Sequence, residues 1–226
     1  MMYHAIDYAG HPKDNMVSPE NFSRQMNYLK NHGYKVISLD ELVRGIKEKR
    51  SFPQKAAVIS FDDGYQDNYR YAFPVLKKNQ FPATIFMPFE QVDQQRYLTA
   101  AEIKEMIKYN ITIGSHTLNQ AYLPSVTNEE KLRQIEMSKK FLEKKLGHPI
   151  EYISYPSGGF SEEIKRMVKE AGYQGACTTN RGYHRFNEDV YELKRVRFSN
   201  KDRWGLILWA KLSGYYNLFR SLKDPF

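Results

Sequence analysis

The chain has 226 residues, 41% hydrophobic and 27% charged, with 17 Tyr, 13 Phe and a formal net charge of +8. That size and composition fit one folded domain or two small ones and exclude a disordered chain. A single cysteine, Cys177, excludes an internal disulfide and a thiolate-rich metal site.

Residues 18–31 open on Ser-Pro-Glu and set Phe22, Met26 and Leu29 at helical spacing, and His32-Gly33 stops that helix. Lys35–Leu39 reads as a strand, and Asp40 is placed to cap a helix over 41–49. Ala56–Phe61 is a buried strand by its apolar run. Asn68–Lys78 follows as a helix in which Pro74 marks a kink or restart, then Pro82–Met87 as a strand. Thr99–Tyr109 is a capped helix, Ile111–Gly114 a strand, and Asn128–Leu146 a long helix ending at Gly147. Ile150–Ser154 is a strand, Ser161–Ala171 a helix, and Gly175–Thr178 a strand. Short apolar strands alternating with amphipathic helices predict an α/β barrel or an open doubly wound sheet. The Gly-rich loops of nucleotide-binding folds are absent. Residues 1–200 are expected to form one domain and 201–226 a C-terminal extension.

The positive balance suits nucleic acid, an anionic lipid surface or an acidic polymer. Without a basic run interleaved with aromatics, nucleic acid is not an expected partner. No run of about 18 apolar residues is present to cross a bilayer. The opening residues, MMYHAIDYAGH, lack a basic stretch followed by an apolar one. A cytoplasmic location is therefore expected, or a secreted one if a leader has been removed.

Three segments carry chemistry. Asp62-Asp63-Gly64 follows an apolar strand, and adjacent carboxylates raise each other's pKa unless a cation or another charge separates their tasks. The alternative is a solvated Asp-Asp-Gly turn. His116 also follows a strand and can offer an imidazole nitrogen to Zn²⁺, or serve as a hydrogen-bonded structural residue. Tyr155-Pro156-Ser157-Gly158 is the turn after a third strand, where glycine allows close approach.

Taken in order, these segments resemble the polysaccharide deacetylases, the NodB-type carbohydrate esterases. The resemblance runs through Met2-Tyr3-His4, Phe61-Asp62-Asp63-Gly64-Tyr65, Phe81-Pro82-Ala83-Thr84, Gly114-Ser115-His116-Thr117, Tyr155-Pro156-Ser157-Gly158, Ala171-Gly172-Tyr173 and Leu193-Lys194-Arg195. It looks most like the branch acting on poly-N-acetylglucosamine and related exopolysaccharides. It implies a distorted (β/α) barrel of about seven parallel strands and hydrolysis of N-acetyl groups on an amino-sugar glycan. By the same resemblance Asp62 is the general base, and Asp63 and His116 ligate a divalent metal, Zn, Co, Ni or Mn. Backbone N–H groups near Tyr65 or Tyr155 would stabilise the oxyanion, with Tyr65, Tyr155 and Pro156 lining the substrate site.

The chain also departs from that pattern. Gln120 stands where the family carries a second histidine ligand, so the metal is expected to be held more weakly. Asn119 offers another oxygen ligand, or a contact to the substrate. Ser154 occupies the position of a family arginine, and Arg195 could orient Asp62 instead or serve as a structural ion-pair residue. The late family histidine is missing, which leaves His184 as a candidate acid, and His4 at the end of the first strand as a candidate pocket residue. The alternative function is a deacetylase-fold carbohydrate-binding protein with catalysis weakened or lost. A third reading is a hydrolase of a small amide or a lipid-linked sugar. Residues 202–223 are apolar, aromatic and basic, suiting either a helix in the headgroup region of a bilayer or a tail packed on the barrel.

Overall fold

In the computed structural model, which describes every residue except 11, 13–14, 180–187, 203–204 and 214–226, the expected alternation is present. The chain passes through β1 (Met2–Tyr3), β2 (Ala5–Ile6) and β3 (Met16–Val17) into α1 (Pro19–Asn31). Ser18 caps α1 by accepting the Asn21 N–H, and Pro19 sits in the first turn, where its missing N–H is not needed. β4 (Lys35–Val36) is shorter than expected because α2 (Leu39–Lys47) starts early. Its cap is Ser38, not Asp40: Ser38 Oγ accepts from Glu41 N–H at 2.9 Å, and Asp40 already lies in the first turn. The strand expected over Ala56–Phe61 divides into β5 (Ala56–Ala57), paired with β4, and β6 (Ser60–Phe61), paired with β1.

A π-helical turn, Asn68–Ala72, leads into α3 (Phe73–Asn79), so Pro74 marks a restart. β7 (Ala83–Met87) is followed by α4 (Ala100–Ile107), opened by a reciprocal cap between Thr99 and Glu102. After β8 (Ile111–Ser115), α5 (Asn128–Leu132) and α6 (Ser138–Leu146) are joined through a π-helical turn, and Gly147 ends them at φ 67°. Then come β9 (Tyr152–Ser154), α7 (Glu162–Glu170), β10 (Gly175–Thr178), β11 (Leu193–Lys194) and α8 (Gly205–Leu212).

Seven of these strands form one sheet in the order β1-β6-β7-β8-β9-β10-β11, all neighbours parallel. Its two edges meet at a single bridge. Met2 N–H donates to Val196 O at 2.8 Å, and Phe198 N–H donates to Met2 O at 2.9 Å. The result is a curled, distorted barrel.

Strand alternation divides the side chains between two surfaces. Phe61, Ile85, Ile113, Ile153 and Ala176 belong to the main core shared with the helices. Phe86, Tyr152, Cys177 and Leu193 belong to a second, inner core that α2 closes with Leu39 and Val43. Gly114 is required there, because a Cβ would come within 2.5 Å of the Phe86 ring. With one end plugged, the polar residues beyond the strands' C-terminal ends face the open end.

Of the tail expected over 202–223, residues 203–204 and 214–223 lie outside the described residues. α8 is fastened to the barrel by Leu208, 3% exposed, and by Lys211 Nζ, 2.6 Å from Asp202 Oδ2 and 2.8 Å from Arg197 O. It leaves Leu206 83% and Trp209 60% exposed.

Candidate active site

Asp62 directly follows β6, and alternation turns its carboxylate inward, where it is 2% exposed. A charge so buried needs a partner. Arg195, from the segment after β11, meets it as a fork, with Nη1 to Oδ1 and Nη2 to Oδ2 each at 2.7 Å. The guanidinium also donates to Ser60 Oγ at 3.2 Å, Ser154 Oγ at 2.7 Å and Thr178 O at 3.2 Å, so all five of its N–H groups are used. Burial alone would raise the Asp62 pKa. The charges of Arg195 and His116, with the hydrogen bonds from Arg195, outweigh it and hold the carboxyl at about 2.

Asp63 is built differently. It adopts φ 74° and Gly64 φ 68°, a left-handed turn that is strained for a residue with a side chain. Gly64 itself is required, since a Cβ would lie 2.0 Å from Met87 Sδ. The turn aims Asp63 at the residues after β8. Its Oδ1 lies 3.6 Å from His116 Nε2 and accepts from Gln120 Nε2 at 2.5 Å. The Tyr65 hydroxyl also hydrogen-bonds to Asp63, and burial followed by that carboxylate's charge pushes the Tyr65 pKa up.

His116 Nδ1 lies 2.8 Å from the Ser154 carbonyl oxygen. A carbonyl only accepts, so an Nδ1 proton faces it and Nε2 faces Asp63. Thr117 and Gln120 both have φ 64°, and Gln120 N–H donates to Thr117 Oγ1 at 3.1 Å, a turn that returns Gln120 to Asp63. His4 completes the group. Its Nδ1 is buried without a hydrogen-bond partner among the described residues. Burial lowers its pKa, Asp62 and Asp63 pull it back up, and Arg195 and His116 oppose them. His4 therefore shares the field of all four.

Asp63 and His116 fit a divalent ion by donor chemistry: a carboxylate oxygen and an imidazole nitrogen whose tautomer is fixed by a backbone carbonyl. Gln120 adds a neutral amide, whose oxygen rather than nitrogen would have to face the ion. Among the described residues no cluster of three or more His, Cys, Asp and Glu is present.

Other expected site residues are placed elsewhere. Tyr155 is wholly buried, its hydroxyl donates to Tyr191 O at 3.0 Å and its ring stacks on Phe160, so its side chain does not line the pocket. Its backbone N–H donates to Cys177 O at 2.9 Å, which removes it as an oxyanion donor. This follows from alternation, because Tyr155 is out of phase with the inward Ser154. Pro156 is buried in the turn Pro156–Gly158. Among the described residues the Asn119 side chain makes no hydrogen bond, while its backbone N–H donates to Gln134 Oε1 at 3.4 Å. His184 lies outside the described residues. Sequence reasoning missed Ser154, whose carbonyl orients His116 and whose hydroxyl bonds Arg195. The signal was present: Ser154 stands one strand from His116 on an inward phase.

Residues 49–176 match the polysaccharide deacetylase family. YxkH of Bacillus subtilis (strain 168), assigned as a polysaccharide deacetylase, is 33% identical over 199 residues, 88% of this chain and 70% of that protein. The poly-beta-1,6-N-acetyl-D-glucosamine N-deacetylase of Staphylococcus aureus (strain MRSA252) is 27% identical over 202 residues, 83% of this chain and 69% of that protein. Among solved structures, the Streptococcus pyogenes deacetylase PplD in complex with acetate superposes with a TM-score of 0.79 at 25% identity, over 99% of this chain and 97% of that one.

Proposed function

This chain belongs to the polysaccharide deacetylase family, and on that premise we propose that it removes N-acetyl groups from an amino-sugar polymer by metal-assisted hydrolysis. The polymer named for the Staphylococcus aureus relative, β-1,6-linked N-acetylglucosamine, is the substrate of first choice. The observation that carries the reading is the split between adjacent carboxylates. Asp62 is locked and ionised against Arg195, while Asp63 faces the free nitrogen of His116.

What a divalent cation held by Asp63, His116 and the Gln120 amide supplies when bound is Lewis-acid polarisation of the acetamide carbonyl and of a nearby water. Asp62 takes the proton of the water that attacks the carbonyl carbon. Arg195 fixes the plane of that carboxylate. The C–N bond then breaks, giving acetate and the free amine of the sugar. The proton that Asp62 takes passes through His4, buried among the same groups with its pKa lowered by burial, to the departing nitrogen.

A second reading has one observation in its favour. Gln120 already donates to Asp63 at 2.5 Å, so an amide N–H sits where a ligand is wanted. On that reading the protein binds glycan with catalysis weakened or lost. Acetate release from N-acetylglucosamine oligomers after loading with Zn²⁺, Co²⁺, Ni²⁺ or Mn²⁺ separates the two. Release that needs added metal and vanishes in Asp62→Asn supports hydrolysis. Oligomer binding with no acetate from any loaded form supports the binding protein. Peripheral contact with an anionic bilayer through α8 is a further part of this proposal, motivated by exposed Leu206 and Trp209 on a helix without acidic residues.

A further inference from the structure

Beside Asp63, Tyr65 is stacked on a second aromatic residue, Tyr97, to which the chemistry above gives no task. The segment 94–98, between β7 and α4, is stitched to the residues just after the two carboxylates. Gln66 N–H donates to Arg96 O at 2.9 Å, and Leu98 N–H donates to Gly64 O at 3.0 Å. Tyr65 and Tyr97 face each other across this antiparallel bridge, with ring centroids 5.3 Å apart and planes at 28°. Neither ring is fully buried. The hydroxyl of Tyr65 reaches Asp63, and the charge of Asp63 is also felt at Tyr97.

The pair is held firmly. Asp93 Oδ1 accepts from Ala100 N–H at 2.8 Å and Asp93 Oδ2 meets Lys145 at 2.7 Å, while Val92 and Leu98 are buried. Arg96 is fixed by a bond from Nη2 to Gly10 O at 2.9 Å. A segment with two positive-φ residues, Asp93 at 67° and Arg96 at 72°, is thus kept in one shape at the rim of the site. Rigid, half-exposed tyrosines offer apolar faces at low entropic cost and a polar edge. The apolar C–H face of a pyranose ring is the natural complement.

Resting on the reading of this pocket as a glycan site, we propose that Tyr97, backed by Tyr65, is a stacking subsite for the sugar adjacent to the one whose acetamide lies at Asp63. Tyr97 is then a specificity-determining residue that makes the protein select linked sugars over a single N-acetylglucosamine. It is a binding residue and carries no proton.

The test is calorimetric titration of the full chain with β-1,6-linked N-acetylglucosamine monomer, dimer and trimer, in parallel with acetate release. Wild type should gain affinity from monomer to dimer, and Tyr97→Ala should lose that gain, roughly tenfold in Kd for one aromatic contact. Tyr97→Phe should keep it. Tyr109→Ala, an exposed tyrosine at the opposite end of the barrel, should change nothing. A Tyr97→Ala protein that still prefers the dimer overturns the subsite, as does a wild type that binds no oligomer. If oligomers bind with the expected step but release no acetate, the hydrolytic reading fails while the subsite stands. Should Tyr97→Ala not fold, ring-proton shifts assigned by comparison with Tyr97→Phe decide: the dimer must move the Tyr97 signals more than the monomer does.

Discussion

Asp62 and Asp63 are neighbours in the chain and opposites in the fold. Asp62 lies on the regular inward phase of β6, and its fork with Arg195 draws on five donors that all have acceptors. Asp63 sits in a left-handed turn, opposite an imidazole 3.6 Å away and an amide that came from another strained turn. The first region is closed, and any change to it leaves a buried charge alone. The second is open and exchangeable, with a conformation imposed by its surroundings. Two adjacent acids can therefore be given a fixed charge and an adaptable one.

The sharpest break of this contrast is Arg195→Met. It strands a carboxylate that is 2% exposed, and the expected loss is about 3–5 kcal/mol of stability, read by denaturant unfolding at neutral pH. A drop below about 1 kcal/mol would mean that the closed region relaxes far more easily than its bonding implies. The pair also predicts an acid response. Asp62 is depressed to about 2 from a reference of 3.8, so the stability it confers is complete above 3.8 and is lost as pH falls through about 2. Arg195→Met removes that depression and should move the acid transition to higher pH.

Next in size are the effects on rate. Asp62→Asn should lower kcat on acetylated oligomers by about 10²–10⁴-fold, and His4→Ala by a similar order, with KM little changed in either case. A His4→Ala enzyme with normal kcat would remove His4 from proton transfer and return the role to a residue not yet assigned.

Smaller changes are expected in the open region. Gln120→His should strengthen Zn²⁺ binding by roughly tenfold or more in calorimetry, because an imidazole replaces a neutral amide. Equal affinities would show that the amide already ligates as well as imidazole. The smallest effect concerns α8. At low salt the full chain should sediment with anionic liposomes, and Trp209→Ala should weaken this without altering unfolding, since Trp209 is 60% exposed. A wild-type chain that stays in the supernatant ends the membrane proposal.

Much of this was legible from residue order because strand phase is local. Apolar runs located β6, β7, β8 and β10, and the residues just beyond them, Asp62 and His116, appeared as candidates. The strand ends were less readable. β5 and β6 belong to one apolar run yet pair with different partners, and that choice is made by tertiary contacts. β11 is two residues long and carries too little pattern to announce itself. Tyr155 was misplaced because its motif was read without its phase, which sends it to the outer core. The Tyr65–Tyr97 stack was invisible because it depends on a bridge between two loops.

The bridge that joins Met2 to the segment after β11 has a temporal consequence. Asp62 and Arg195 are 133 residues apart, and the barrel edges meet where Met2 bonds Val196 and Phe198. During synthesis six of the seven strands of the main sheet emerge before the last can dock, and until then Asp62 faces the interior without its counter-charge. Contacts of such long range form late and slow the search for the native state. The ionised base and the sealed barrel should therefore arrive together, so that a nascent chain ending before β11 lacks a fixed Asp62 however well its earlier strands are paired.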